Sequence, residues 1–150
     1  MKVYTIEDLE KFERDKYGRL ICPSGDYTQI ESFDEYCSFG GSCSFGWGCL
    51  FGEHCSFGEW CSFGERCNLD NNLKFENIAE QVDRVVKIDR IGSRKGCTYF
   101  FKTKSEIYVR CGCFFGTIAE FEIKVNETHA NNERYRKEYL EAIKYVKAIM

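Results

Sequence analysis

Residues 55–67 read CSFGEWCSFGERC, two copies of one six-residue phrase and the start of a third. The phrase extends in both directions. Counted from its large apolar residue, position one holds Ile21, Tyr27, Phe33, Phe39, Phe45, Phe51, Phe57, Phe63, Leu69 and Phe75. Gly follows at 40, 46, 52, 58 and 64, Cys takes position five at 37, 43, 49, 55, 61 and 67, and Ser dominates position six. A step of six does not suit a helix, whose turn of about 3.6 residues would smear Phe around every side. It does suit an extended chain, where side chains alternate and positions one and five point the same way. Phe and Cys then form one interior, large beside small, and the thiol is read as a packing group rather than a ligand. Gly at position two supplies a bend or a close backbone approach. Short strands with a corner every six residues describe a coil stacked on itself.

The phrase F-G-x-x-C-S resembles the hexapeptide repeat of left-handed parallel β-helix proteins, with Phe replacing that family's aliphatic residue and Cys its small one. The resemblance covers Ile21 to about Lys74. It implies three hexapeptides per triangular turn and about three turns. Residues eighteen apart would then lie in adjacent turns about 4.8 Å apart. Phe33–Phe51–Leu69, Phe39–Phe57–Phe75 and Phe45–Phe63 would stack, as would Cys37–Cys55, Cys43–Cys61 and Cys49–Cys67. The family commonly trimerises, which implies a homo-oligomer here, a trimer first. IYVRCGCFFGTIAEF (107–121), following a hexapeptide tract, is similar to small proteins of bacteriophages and mobile elements in Firmicutes.

The expected fold class is mainly β: a capping helix in 1–20, the left-handed parallel β-helix in 21–75, and an α+β module in 76–150. Thr5 reads as an N-cap ahead of Glu7 and Asp8, and the short helix it opens would shield the first turn of the coil. In the module, Glu76–Arg90 reads as a short helix and then a strand over Val85–Ile91. CTYFFK (97–102) and IYVRCGCFFG (107–116) read as a hairpin, completing a three-stranded meander. Thr117 and Glu120 form a capping box for a helix with Ile118, Phe121 and Val125 on one stripe. A second helix runs from about Glu133 to Ile149, with Tyr135, Tyr139, Ala142, Ile143 and Val146 along its apolar side.

The 150 residues carry a formal charge of -3, which argues against general nucleic-acid binding. No long apolar run suggests a membrane span, and the N-terminal stretch has no apolar signal core. A cytoplasmic protein with reduced thiols is expected, in the host cytoplasm if the phage resemblance holds. The charge is uneven. Residues 21–74 hold eight acids and two bases, whereas residues 80–110 hold eight bases and four acids. That favours an anionic ligand or acidic partner at the second part.

Several residues are candidates for function. Arg94, Lys95, Lys102 and Arg110 with Tyr99 and Tyr108 make a basic, aromatic hairpin able to hold a phosphate and stack a base. Tyr36, Trp47, Trp60 and Arg66 fall at outward positions of the coil and suit an interface. Cys97, Cys111 and Cys113, with His129, are a candidate zinc set of unspecific spacing. Acyltransferases of the resembled family use a His base, which makes His54 the catalytic candidate if the chain is an enzyme. Carbonic anhydrases on such a coil need three His, and this chain has two. No cofactor is indicated. The expected function is non-enzymatic binding; the phage resemblance implies counter-defence, by sequestering a nucleotide signal or blocking a host defence protein. An acyltransferase-like enzyme and a structural or oligomerisation protein are the alternatives.

Overall fold

A computed structural model describes residues 1–75, 77–92 and 96–150. The chain divides into two compact units, Met1–Val82 and Asp83–Met150.

The first unit is a parallel β-solenoid of about three turns. Its strands are β1 (Leu20–Cys22), β2 (Asp26–Tyr27), β3 (Ser32–Phe33), β4 (Cys37–Phe39), β5 (Ser44–Phe45), β6 (Leu50–Phe51), β7 (Ser56–Phe57), β8 (Ser62–Phe63) and β9 (Lys74–Phe75). They form three parallel sheets, β1-β4-β7-β9, β2-β5-β8 and β3-β6. Ser38 pairs with Ser56, Ser44 with Ser62 and Ser56 with Lys74, each eighteen residues on. The interior is aromatic. Along one side rings stack face to face: Phe39 on Phe57 at 5.2 Å, and Phe57 on Phe75 at 5.3 Å. Around one turn they meet edge to face, as Phe33 meets Phe39 at 4.9 Å and 88°. Both arrangements suit the ring quadrupole.

Two positions of the repeat have distinct duties at each corner. The left-handed corner conformation falls at position four, at Tyr36, Ser42, Gly48, His54, Trp60, Arg66 and Asn72, with φ between 56° and 65°. Gly at position two is there because the neighbouring turn presses on it: a Cβ on Gly58 would lie 2.5 Å from the Gly41 amide nitrogen. So the close approach belongs to position two and the bend to position four.

The first turn departs from the expected frame. Ile21 is 42% exposed, while Leu20 and Cys22 point inward. Cys22 pairs with Phe39, seventeen residues on, whereas Tyr27 pairs with Phe45 at eighteen. The corner through Pro23-Ser24-Gly25 is one residue short, so the inward position moves from Ile21 to Cys22. Helix α1 (Ile6–Lys11) carries the Thr5–Asp8 capping box but buries none of its residues. Its Ile6 and Leu9 line a cleft with Leu20, Phe33 and Cys37 of the first turn, and the backbone ahead of it covers the end of the coil as well. Tyr4 N donates to Asp26 O and Asp26 N to Lys2 O, both at 2.8 Å. The Tyr4 ring then stacks on Tyr27 at 5.0 Å.

The second unit is an antiparallel sheet in the order β10-β11-β12-β13: β10 (Val82–Ile91), β11 (Gly96–Thr103), β12 (Ile107–Cys111) and β13 (Phe114–Thr117). Among the described residues of 76–81 there is no helix; β-branched Val82, Val85, Val86 and Ile88 favour the strand. IYVRCGCFFG is two strands, not one. Gly112, at φ 58°, opens a two-residue turn that pairs Cys111 with Phe114. The sheet is therefore four-stranded rather than a three-stranded meander. Helices α2 (Ile118–Thr128) and α3 (Glu133–Ile149) lie on one side of it. Ile118, Phe121, Val125, Tyr139, Ala142, Ile143 and Val146 pack there on Phe100 and Val109. Thr117 accepts from Glu120 N, and the Glu120 carboxylate accepts from Thr117 N, which completes the expected capping box. No described helix is long and apolar enough to cross a membrane.

Candidate functional site

The ladder thiols are packing groups. Cys37, Cys43, Cys49, Cys55 and Cys61 are all at most 3% exposed. Their S–H groups donate to corner carbonyls. Asp34 O accepts from Cys37 and, one turn up, from Cys55, each at 3.3 Å. Gly40 O accepts in the same way from Cys43 at 3.1 Å and Cys61 at 3.4 Å. The hydrogen-bonded Cys22 thiol, followed by burial, pushes Cys37 up to about 12, and burial pushes Cys49 up to about 12. Thiolate, the form that binds metal or attacks disulfides, is thus disfavoured at both. No disulfide is present among the described residues, which include all ten cysteines.

The outward residues of the coil do not form one patch. Tyr36 and His54 share one corner and stack at 5.1 Å. Trp60 lies at the next corner, whose Glu59 carbonyl accepts from Ser42 N. Trp47 and Arg66 share the third, where Gly48 N donates to Glu65 O at 2.7 Å. Trp47 is 71% exposed, and Tyr36 and Trp60 are 43% exposed. His54 is exposed, at φ 63°, with the Tyr36 ring against its face.

In the second unit the sheet separates the expected hairpin residues. Tyr99 pairs with Arg110 and Phe101 with Tyr108, on the side away from Phe100 and Val109. Lys102 alternates to the helix side, where its ammonium donates to Thr103 O at 2.6 Å. Arg94 and Lys95 lie outside the described residues. The Arg110 guanidinium sits 4.4 Å over the Tyr99 ring, and Tyr99 is 4% exposed. The two groups meant for a phosphate and a base are therefore used on one another. Tyr108 stacks on Phe115 at 5.9 Å.

The expected zinc set does not assemble. Cys97 is on the sheet's far side from Cys111, donating to the Asp89 carboxylate; burial first, and that hydrogen bond second, push its thiol up. Among the described residues no group of three or more His, Cys, Asp or Glu is placed to hold a metal. The other three members come together differently. Cys111, Cys113 and His129 line one cavity of about 230 Å³ on the helix side, with Phe114, Phe121, Lys124, Val125, Thr128 and Tyr139.

Each wall has a local cause. The turn at Gly112 brings the end of β12 and the start of β13 to the rim. Phe114 packs on Phe121 at 5.4 Å, and Phe121 meets Tyr139 edge-on at 5.7 Å. His129 caps α2, its amide donating to Val125 O, and its ring stacks on Tyr139 at 5.5 Å. Cys111 donates to Tyr139 Oη at 3.8 Å and accepts from Thr98 Oγ1 at 3.5 Å. The body of the cavity is aromatic and aliphatic. Lys124, Thr128, Cys113 and His129 give it a polar edge, the mixture of a small-molecule site. Tyr139 and Lys124 escaped sequence reasoning because they read as ordinary positions on amphipathic helices.

Comparison of the chain with protein-family models, with curated proteins and with solved structures gave no match.

Proposed function

We propose that this chain is a non-enzymatic binding protein whose ligand site is the helix-side cavity of the second unit. The observation that carries the reading is the convergence of Phe114, Phe121 and Tyr139 around about 230 Å³ with Lys124 at its edge. Such a site suits a small planar, largely apolar molecule with one acidic group: the rings take its body and the ammonium its charge. A nucleotide held by Tyr99, Lys102, Tyr108 and Arg110 has less behind it, because those side chains divide between two faces.

A thermal-shift series with benzoate and naphthoate tests the reading. A ligand at a hundred times its Kd should stabilise by about 2.7 kcal/mol. Lys124→Ala should weaken the shift, and Thr128→Trp, which fills the mouth from an exposed position, should abolish it. Shifts unchanged in Thr128→Trp, or no shift with either acid, would sink the reading.

A protein partner is the second reading, favoured by the 71% exposure of Trp47 beside Arg66 at one corner of the coil. Counter-defence by blocking a host protein would use this surface. Binding that survives Thr128→Trp and is lost in Trp47→Ala would select it.

A further inference from the structure

We propose that Cys111 and Cys113 form a dithiol centre that exchanges with small disulfides. The inference uses the cavity of the proposed function but not its ligand.

These two thiols differ from every other pair in the chain. The ladder thiols Cys37 to Cys61 are buried, Cys67 is half-buried, and Cys37, Cys43 and Cys67 donate to backbone carbonyls. Cys113 is exposed, Cys111 is half-buried, and both line one cavity. They flank Gly112, whose φ of 58° turns the chain back on itself. Residues two apart can lie at most about 7 Å from each other at Cα, and the turn at Gly112 shortens that span toward the roughly 4.4–6.8 Å that a disulfide bridges. Attack by a thiolate needs access, a nearby positive charge and a proton acceptor. Cys113 has the access. Lys124 and His129, on the same cavity, supply the charge and the imidazole. Cys111 is aimed from below by two hydroxyls, Thr98 Oγ1 at 3.5 Å and Tyr139 Oη at 3.8 Å. Thr98 is itself 1% exposed, so its hydroxyl is a buried fixture of the site.

The exchange balances with a low-molecular-weight disulfide as oxidant. The Cys113 thiolate attacks one sulfur of that disulfide. Its S–S bond breaks, and the first thiol leaves with the proton that Cys113 gave up. Cys111 then attacks the Cys113 sulfur of the mixed disulfide. An internal S–S bond forms, and the second thiol leaves with the proton from Cys111. Two protein thiols are oxidised by two electrons, and one disulfide becomes two thiols. The apolar walls suit a disulfide with a hydrophobic substituent.

The test uses the whole chain in glutathione buffers of graded ratio, quenched with acid and mapped by mass spectrometry. The peptide holding Cys111 and Cys113 should lose two hydrogens as the disulfide fraction rises. Cys111→Ser should trap glutathione on Cys113 instead, and Cys113→Ser should remove the internal bond. Exposed Cys97 is the internal reference, forming only an adduct. Adducts on Cys113 and Cys97 alike, with no internal bond in the unaltered chain, would overturn the proposal. So would equal Cys113 adducts with and without Cys111. An internal bond that forms while no acid shifts the melt would leave this inference standing and remove the ligand reading.

Discussion

The ring of Phe57 lies parallel to that of Phe39, 5.2 Å away with 5° between their planes, and carries Phe75 on its other side at 5.3 Å. Phe57 is thus the middle of a continuous stack and is 2% exposed. Phe57→Ala should cost about 3–5 kcal/mol, the range for emptying a buried aromatic site. Both tryptophans, Trp47 and Trp60, belong to the coil, so fluorescence-detected denaturation follows that unit. A loss under about 1 kcal/mol would mean the stack is not the coil's core.

Gly58 and Ser42 exchange the roles that composition suggests. A Cβ at Gly58 would meet backbone of the adjacent turn at 2.5 Å, so Gly58→Ala should cost about 1–3 kcal/mol. Ser42 already holds φ 58°, where glycine is at ease, so Ser42→Gly should be near neutral. Equal losses in the two variants would show that position two, too, is only a bend.

Alkali should loosen the coil. Cys37 and Cys49, at about 12 in the fold, ordinarily sit at 9.0, and the Cys22 hydrogen bond and burial hold them up. Cys55 and Tyr27 are raised as well; Cys43 is lowered by its bond from Cys61 and acts in the opposite sense. A raised value means that folding favours the protonated thiol. The stabilisation is complete below pH 9 and drains away as pH climbs toward 12. Denaturant midpoints between pH 8 and 11 should fall, and Cys49→Ala should flatten the fall. A flat profile in the unaltered chain would contradict packing as the thiols' role.

Acid should act on α2. Backbone and side-chain hydrogen bonds from Thr117 hold the Glu120 carboxyl below its ordinary 4.5. The cap's contribution is therefore present above that value and lost as pH drops through the lowered one. Thr117→Ala should cost about 1 kcal/mol at neutral pH. Glu120→Gln should remove part of the acid dependence, as read by helical circular dichroism. An acid profile identical in Glu120→Gln would rule out this carboxylate.

The coil was legible because one even period fixed both the inward side and the register, from Tyr27 through Phe63. It failed where local geometry broke the period without changing the hydrophobic pattern. Ile21 is as apolar as its neighbours Leu20 and Cys22, so the short corner after Cys22 left no mark. The β12–β13 turn was hidden likewise, since Cys111-Gly112-Cys113 sits inside an unbroken β-prone run and only the conformation of Gly112 divides it. The cavity was half visible. Cys111, Cys113 and His129 stood out as possible ligands, but a pocket depends on which faces meet, and Lys124 and Tyr139 reach it through helix packing. Cys97 matched the same composition and went to the other side of the sheet by alternation alone.

The most direct measurement of the cavity's role is an amide chemical-shift titration of the whole chain with naphthoate. The predicted result is saturable shifts at Lys124, Thr128 and His129 and in the turn at Gly112–Cys113, all lost in Thr128→Trp. Shifts confined to the coil, or to Tyr108 and Arg110, or a spectrum that does not change, would contradict the assignment of this cavity as the binding site.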